Sequence, residues 1–148
     1  LDFLDYLIYI DLKKSVIKCK ILNYEPKKVF MHRFKELEIW KKSRKFCSEI
    51  YNTTADFPSE EKFGLTNQLR RASVSIPSNI AEGSARNSQK DFARFLEIAI
   101  GSAYEIETQL LIASDLGFLN IDDLNRLINK IEEIIKMTSK FRASISTT

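Results

Sequence analysis

The sequence is poor in the residues that do chemistry and in those that turn a chain. Of its 148 residues, one is histidine, two are cysteine, three are proline and four are glycine. The only histidine, His32, lies at the start of the well-patterned part of the chain, which argues against a histidine-based catalytic triad or metal cluster. No Glu-x-x-His pair is present, so the di-metal site that helical bundles build from such pairs is excluded as well. Gly83 and Gly101 stand apart and form no glycine-rich phosphate loop. Cys19 and Cys47 show no metal or redox spacing, and Cys47 falls on an apolar helix face as a small buried thiol. No apolar run reaches the roughly 20 residues needed to span a bilayer, so no membrane partner is expected. These absences predict a non-enzyme without cofactor or metal, in the reducing cytoplasm. So little glycine and proline favours a few long helices over many short strands.

What is present is ordinary globular material, 44% hydrophobic and 29% charged, enough for one domain with a real core. Residues 1–30 differ from the rest. An aromatic and aliphatic run from Leu1 to Leu12 is followed by lysines alternating with Val16, Ile17, Ile21 and Leu22. Met31 stands just before the first well-patterned helix, which predicts a native start there, with 1–30 an upstream extension and 31–148 the folded domain. Residues 31–148 carry 17 basic and 16 acidic side chains, so a basic surface has to come from distribution rather than from net charge.

Four amphipathic helices are predicted. The first runs from about Phe34 to Thr54, with Leu37, Trp40, Ser43, Cys47, Ile50, Tyr51 and Thr54 on one side. Ile39 and Phe46 widen that apolar arc beyond what a simple bundle needs, and Lys35, Glu38, Lys41, Lys42, Lys45, Glu49 and Asn52 lie opposite. The second begins near Ser59 as cap and ends at Gly83. The third runs from about Gln89 to Leu116 behind a Ser88/Asp91 capping box. Its Ile98 and Ile112 emerge on the far side, and Gly101-Ser102-Ala103 makes a thin place for helix packing. The fourth, capped by Asn120, carries Leu124, Leu127, Ile128, Ile131, Ile134, Ile135, Thr138 and Phe141 inward, with a frayed tail from Ser144. Helices of this length with short connections predict an all-α, antiparallel up-down-up-down four-helix bundle.

The chain is organised around Gln68–Gly83. Leu65, Leu69, Ala72, Ile76 and Ile80 keep helical phase through Pro77, which predicts a kinked helix rather than a stop and restart. Arg70 and Arg71 lie off the stripe. Asn79 is expected to serve the carbonyl freed by Pro77, and Glu82 to pair with Arg86 or another arginine.

Those residues carry a resemblance. Phe34-x-x-Leu37-x-x-Trp40, Phe57-Pro58-x-Glu60-x-x-x-Gly64-Leu65, Gln68-Leu69-Arg70-Arg71-Ala72-x-x-Ser75-Ile76-Pro77-x-Asn79-Ile80-Ala81-Glu82-Gly83 and Phe92-x-Arg94-Phe95-Leu96 follow one another in order. Over about residues 33–142 the chain resembles the bacterial four-helix-bundle proteins called 23S rRNA intervening-sequence proteins. The resemblance implies a four-helix bundle assembled as a homopentameric ring. The family is also similar to the accessory variability determinant of diversity-generating retroelements, a pentamer that binds nucleic acid and a reverse transcriptase. The functional expectation is a ring-forming binder of RNA or DNA. It would make phosphate contacts through Lys41, Lys42 and Lys45 on the first helix and through Arg86, Lys90 and Arg94 near the start of the third. The alternative is an oligomeric scaffold that docks another protein.

Overall fold

Three helix ends rest on a side chain or glycine suited to the task. Ser88 Oγ accepts the Asp91 N–H at 3.0 Å and donates to the Asp91 carboxylate at 2.6 Å, which starts a helix at Gln89. Asn120 Oδ1 accepts the Asp123 N–H at 2.8 Å and starts another at Ile121. Gly117, at φ 75°, closes the third helix, with its N–H on Ser114 O and that of Phe118 on Ala113 O. Replacing Asn120 with alanine will lower stability by about 1 kcal/mol, read as a shift in the urea midpoint with an unchanged slope.

The computed structural model describes residues 33–146. Residues 1–30, Met31, His32 and residues 147–148 lie outside that range, and with them the expectations placed on the extension, the start site and Cys19. The described helices are α1 (Glu38–Thr53), α2 (Leu65–Ser84), α3 (Gln89–Asp115) and α4 (Ile121–Ser146). Short 3-10 turns cover Phe34–Glu36, Thr54–Asp56 and Ser59–Lys62, and no strand occurs among the described residues. Successive helices pack on one another and α4 returns to α1, which closes a four-helix bundle. Partner numbers fall on one helix as they rise on the next: Gln109 meets Gln68, Ser102 meets Ser75, and Gly83 abuts Phe92.

The core is aliphatic, with Ile50, Leu69, Ile80, Leu96, Ile106, Leu110, Leu127 and Ile131 sealed from solvent. Phe92 stands edge-on to Phe141 at 5.6 Å, and Phe57 meets Phe118 at the opposite end of the bundle.

Several details differ from the sequence reading. α2 begins at Leu65, not at Ser59. Pro58 opens a 3-10 turn, and the Glu61 carboxylate, rather than a Ser59 hydroxyl, accepts the Leu65 N–H at 2.8 Å. α1 is rolled relative to the expected stripe: Ile39, Ser43, Phe46 and Ile50 are buried, while Tyr51 is exposed and Cys47 only half-buried. The helix buries the side it wedges between α2 and α4, and the Trp40–Tyr51 side becomes the rim of its contact with α2. Gly83 is not a left-handed stop. It lies inside α2, and the helix ends past Ser84 at Ala85, with φ −88°. A Cβ at Gly83 would sit 2.6 Å from both Phe92 Cδ2 and Phe95 Cβ, so the glycine is there for close approach of α3. Gly101, by contrast, faces open space, and Ser102 and Ala103 alone make that helix contact. α4 does not fray at Ser144. It continues to Ser146 because Ile145 is buried against the bundle.

α2 runs unbroken through Pro77. Asn79 does not serve the carbonyl that Pro77 leaves free, which is that of Ser73. Its Nδ2 donates to Ser75 O at 2.8 Å and to Ser75 Oγ at 3.0 Å. The reason is reach: on a helix a side chain meets the turn four residues back, not six. The hydroxyls nearby are occupied locally too, Ser73 donating to Arg70 O and Ser78 to Val74 O.

Candidate nucleic-acid interface

The bundle sorts its charge along its length. α1 starts, α2 ends, α3 starts and α4 ends at one end. There Phe92 meets Phe141, Arg142 reaches Glu97, and Leu37 and Ile39 border Met137 and Phe141. The segments at this end, residues 33–45, 75–97 and 132–146, carry twelve basic and seven acidic side chains. The rest of the described chain carries five basic and nine acidic ones. A nearly neutral domain thus has one basic end and one acidic end, a distribution that no linear stretch shows.

The six expected contact residues all lie at the basic end, in two groups and two conditions. Lys41 Nζ is 2.6 Å from Glu38, whose carboxyl the bond from Lys41 holds below its ordinary range. Lys42 Nζ is 2.5 Å from Glu133 across the α1–α4 seam. Arg86 pairs with Glu82, as expected of that acid, and its guanidinium lies 4.6 Å from the Phe95 ring centroid. Lys45, Lys90 and Arg94 have no ion-pair partner among the described residues. Lys45 opens onto a cleft of about 260 Å³ with Lys42, Glu49, Lys130 and Glu133. Lys90 and Arg94 line a larger one of about 610 Å³, shared with the acids Asp91 and Glu97 and walled by Gln89, Ala93 and Ile145.

The two groups are not isolated. The last turns of α4 run between them, with Lys140 beside Leu37 and Glu38 on one side and Ile145 beside Lys90 and Arg94 on the other. Lys136 and Lys140, also without an ion-pair partner among the described residues, extend the basic surface. Nothing in a linear stretch reveals which helices flank these lysines.

The α1–α4 seam matches Lys42, while Lys41 and Arg86 are matched within their own helices. Besides Lys42–Glu133, Glu49 receives Arg126 and Lys130, each at 2.7 Å. Hydrogen bonds from Arg126 and then Asn120 pull the Asp123 carboxyl below its ordinary range, and the same Asp123 bond raises Arg126. Among the described residues no cluster of histidine, cysteine, aspartate or glutamate could hold a metal, and no helix is long and apolar enough to cross a membrane.

Of the motif residues, Arg70 ties α2 to the end of α1, with Nε on Thr54 Oγ1 at 2.9 Å and the guanidinium 4.8 Å from the Tyr51 ring centroid. Arg71 instead faces a polar cleft with Asn67, Gln68, Ser75 and Glu105. These placements coincide with a family pattern: the profile of the 23S rRNA-intervening sequence protein matches residues 35–140. The chain belongs to that family. A crystallised protein of unknown function from the S23 ribosomal protein family of Bacteroides thetaiotaomicron VPI-5482 is similar in fold. Its TM-score is 0.66 at 25% identity, over 71% of this chain and 95% of that one. A comparison with curated proteins gives no match. The matched range runs from just before α1 to within the last two turns of α4, so the intervening-sequence family pattern spans the whole bundle and both basic groups.

Proposed function

We propose that this member of the intervening-sequence family is a non-catalytic, ring-forming nucleic-acid-binding protein of the cytoplasm that takes RNA on its basic end. The observation that carries this reading is the charge segregation: seven cations at that end, Lys35, Arg44, Lys45, Lys90, Arg94, Lys136 and Lys140, have no acidic partner among the described residues. The family name and the neighbour's ribosomal-family title support an RNA-associated role. A ring is supported by the outer face of α3, where Ile98, Tyr104, Leu111, Ile112 and Leu116 are exposed together. Repetition of a modest basic end around a ring multiplies weak phosphate contacts through avidity.

Binding on this basis is driven by charge and shape rather than by base sequence. Titration of the full chain against a structured ribosomal RNA fragment at several salt concentrations, with the assembled mass followed by light scattering, tests it. Affinity will fall linearly on a logarithmic scale with salt, by about 0.9 per phosphate contact, from an oligomer that stays intact. Absence of binding at low salt would overturn the reading.

One observation favours a second reading, a scaffold that docks another protein. Phe63 is 84% exposed and Ile121 62% exposed at the acidic end, away from the basic surface. If these stay accessible in the assembled protein and no RNA binds, the protein scaffold takes precedence.

A further inference from the structure

The rim between α1 and α2 carries two cation–aromatic stacks, one built on Arg44 of the basic end and one beyond it on Arg70. Arg44 lies 5.2 Å from the centroid of Trp40, which also makes an edge-to-face contact with Phe34 at 5.1 Å. About three turns further along α1, Arg70 lies on Tyr51, held there by bonds to Thr54 Oγ1 and Tyr51 O. Trp40, Arg44, Cys47 and Tyr51 follow at helical spacing, so the stacks share one strip. Ser73 Oγ lies 3.4 Å from Cys47 Sγ, which places this strip along the border with α2.

Charge separates these arginines from the structural ones. Arg33, Arg86, Arg126 and Arg142 each meet a carboxylate, whereas Arg44 and Arg70 meet none. No acid lies on the strip itself, where Ser48 follows Arg44 and Val74 and Ser78 follow Arg70 on α2. A phosphate chain therefore meets two uncompensated charges and no repulsion. The flat faces are rigid and wet on one side: Tyr51 is 43% exposed, Arg44 is exposed, and Trp40 is anchored in the core along one edge. Planar guanidinium over an aromatic ring is a surface on which an unpaired base stacks, and it is tolerant of base identity. The two stacks are roughly 16 Å apart along the helix axis, so one strand can place different bases on each.

We propose that this α1–α2 rim is a stacking platform for unpaired bases of single-stranded RNA, with Trp40–Arg44 and Tyr51–Arg70 as its two steps. It rests on the nucleic-acid reading above and deepens it, since phosphate contact at the basic end alone does not distinguish single strands from duplexes.

The chain has one tryptophan, so its emission reports this site directly. The full chain is titrated with a short oligouridylate, labelled for anisotropy and unlabelled for tryptophan emission, and with a duplex RNA of equal length. Trp40 emission will be quenched over the same concentrations at which the single strand binds, and the duplex will leave it unchanged. Tyr51→Ala, at an exposed position, will bind the single strand about tenfold more weakly with unaltered circular dichroism. Arg44→Ala will do the same, and Arg44→Lys will not restore binding, because an ammonium lacks the stacking plane. If anisotropy rises while Trp40 emission stays flat and Tyr51→Ala binds as wild type, the platform is refuted and the basic-end reading stands. If the single strand stays unbound while the duplex binds, the platform is refuted and the basic-end reading stands; if neither binds at low salt, both fall.

Discussion

Replacing Gly83 with valine will lower the folding stability by about 3 kcal/mol, at the upper end of what overpacking a tight contact costs. α2 and α3 approach closely enough that a Cβ there meets Phe92 and Phe95 at 2.6 Å, and Phe92 cannot retreat because it is buried against Phe141. Helix propensity works the other way, since leaving glycine in a helix interior favours folding by less than about 1 kcal/mol, so the clash wins. Gly101 supplies the contrast. Its Cβ position is empty, so Gly101→Ala keeps the propensity gain and will stabilise the same fold by about 0.5–1 kcal/mol. Urea denaturation of both variants measures the pair. A neutral Gly83→Val would show that the two helices separate at no cost, and would remove close approach as the reason for this glycine.

Reversing Lys90 and Arg94 together to glutamate will weaken RNA binding on the order of a hundredfold and lower the salt slope by about two. Both side chains line the 610 Å³ cleft beside the end of α4, and neither is ion-paired with the Asp91 and Glu97 that share its wall, so both remain available to a phosphate. The same change at Lys41 and Lys42 will do less to binding and more to stability. Lys41 is matched with Glu38 and Lys42 with Glu133, so much of their field is already cancelled, and a glutamate at position 42 would confront Glu133 across the seam. The readout is the slope of affinity against salt for each double variant. An unchanged slope for Lys90 and Arg94 would move the phosphate contact off this end.

The difference between those two pairs shows where reading the sequence stopped. The positions of Lys41, Lys42 and Lys45 on one helix face follow from spacing alone. Lys41 is neutralised locally by Glu38, but that Lys42 is neutralised and Lys45 is not depends on the helix packed alongside, where Glu133 lies 91 residues further on from Lys42. Only packing puts the last turns of α4, with Lys140, between the two basic groups. The Trp40–Arg44 and Tyr51–Arg70 stacks were hidden for the opposite reason. Trp40 and Tyr51 counted as core because they share the spacing of Ile50, and only the roll of α1 between its two neighbours left them on the rim.

Local chemistry was enough for the rest of the architecture. Four helices follow from periodic apolar residues, and two of their starts follow from Ser88 and Asn120, whose side chains reach N–H groups three residues on. The end of α3 at Gly117 follows from the single left-handed glycine among the described residues. Each of these is settled within one turn of helix, which is as far as a sequence pattern carries physical force. The role of Gly83, the start of α2 at Leu65, the buried end of α4 and the division into basic and acidic ends depend on contacts between distant segments. Those contacts came into being only when the four helices packed, because burial and charge pairing act through space and are indifferent to order along the chain.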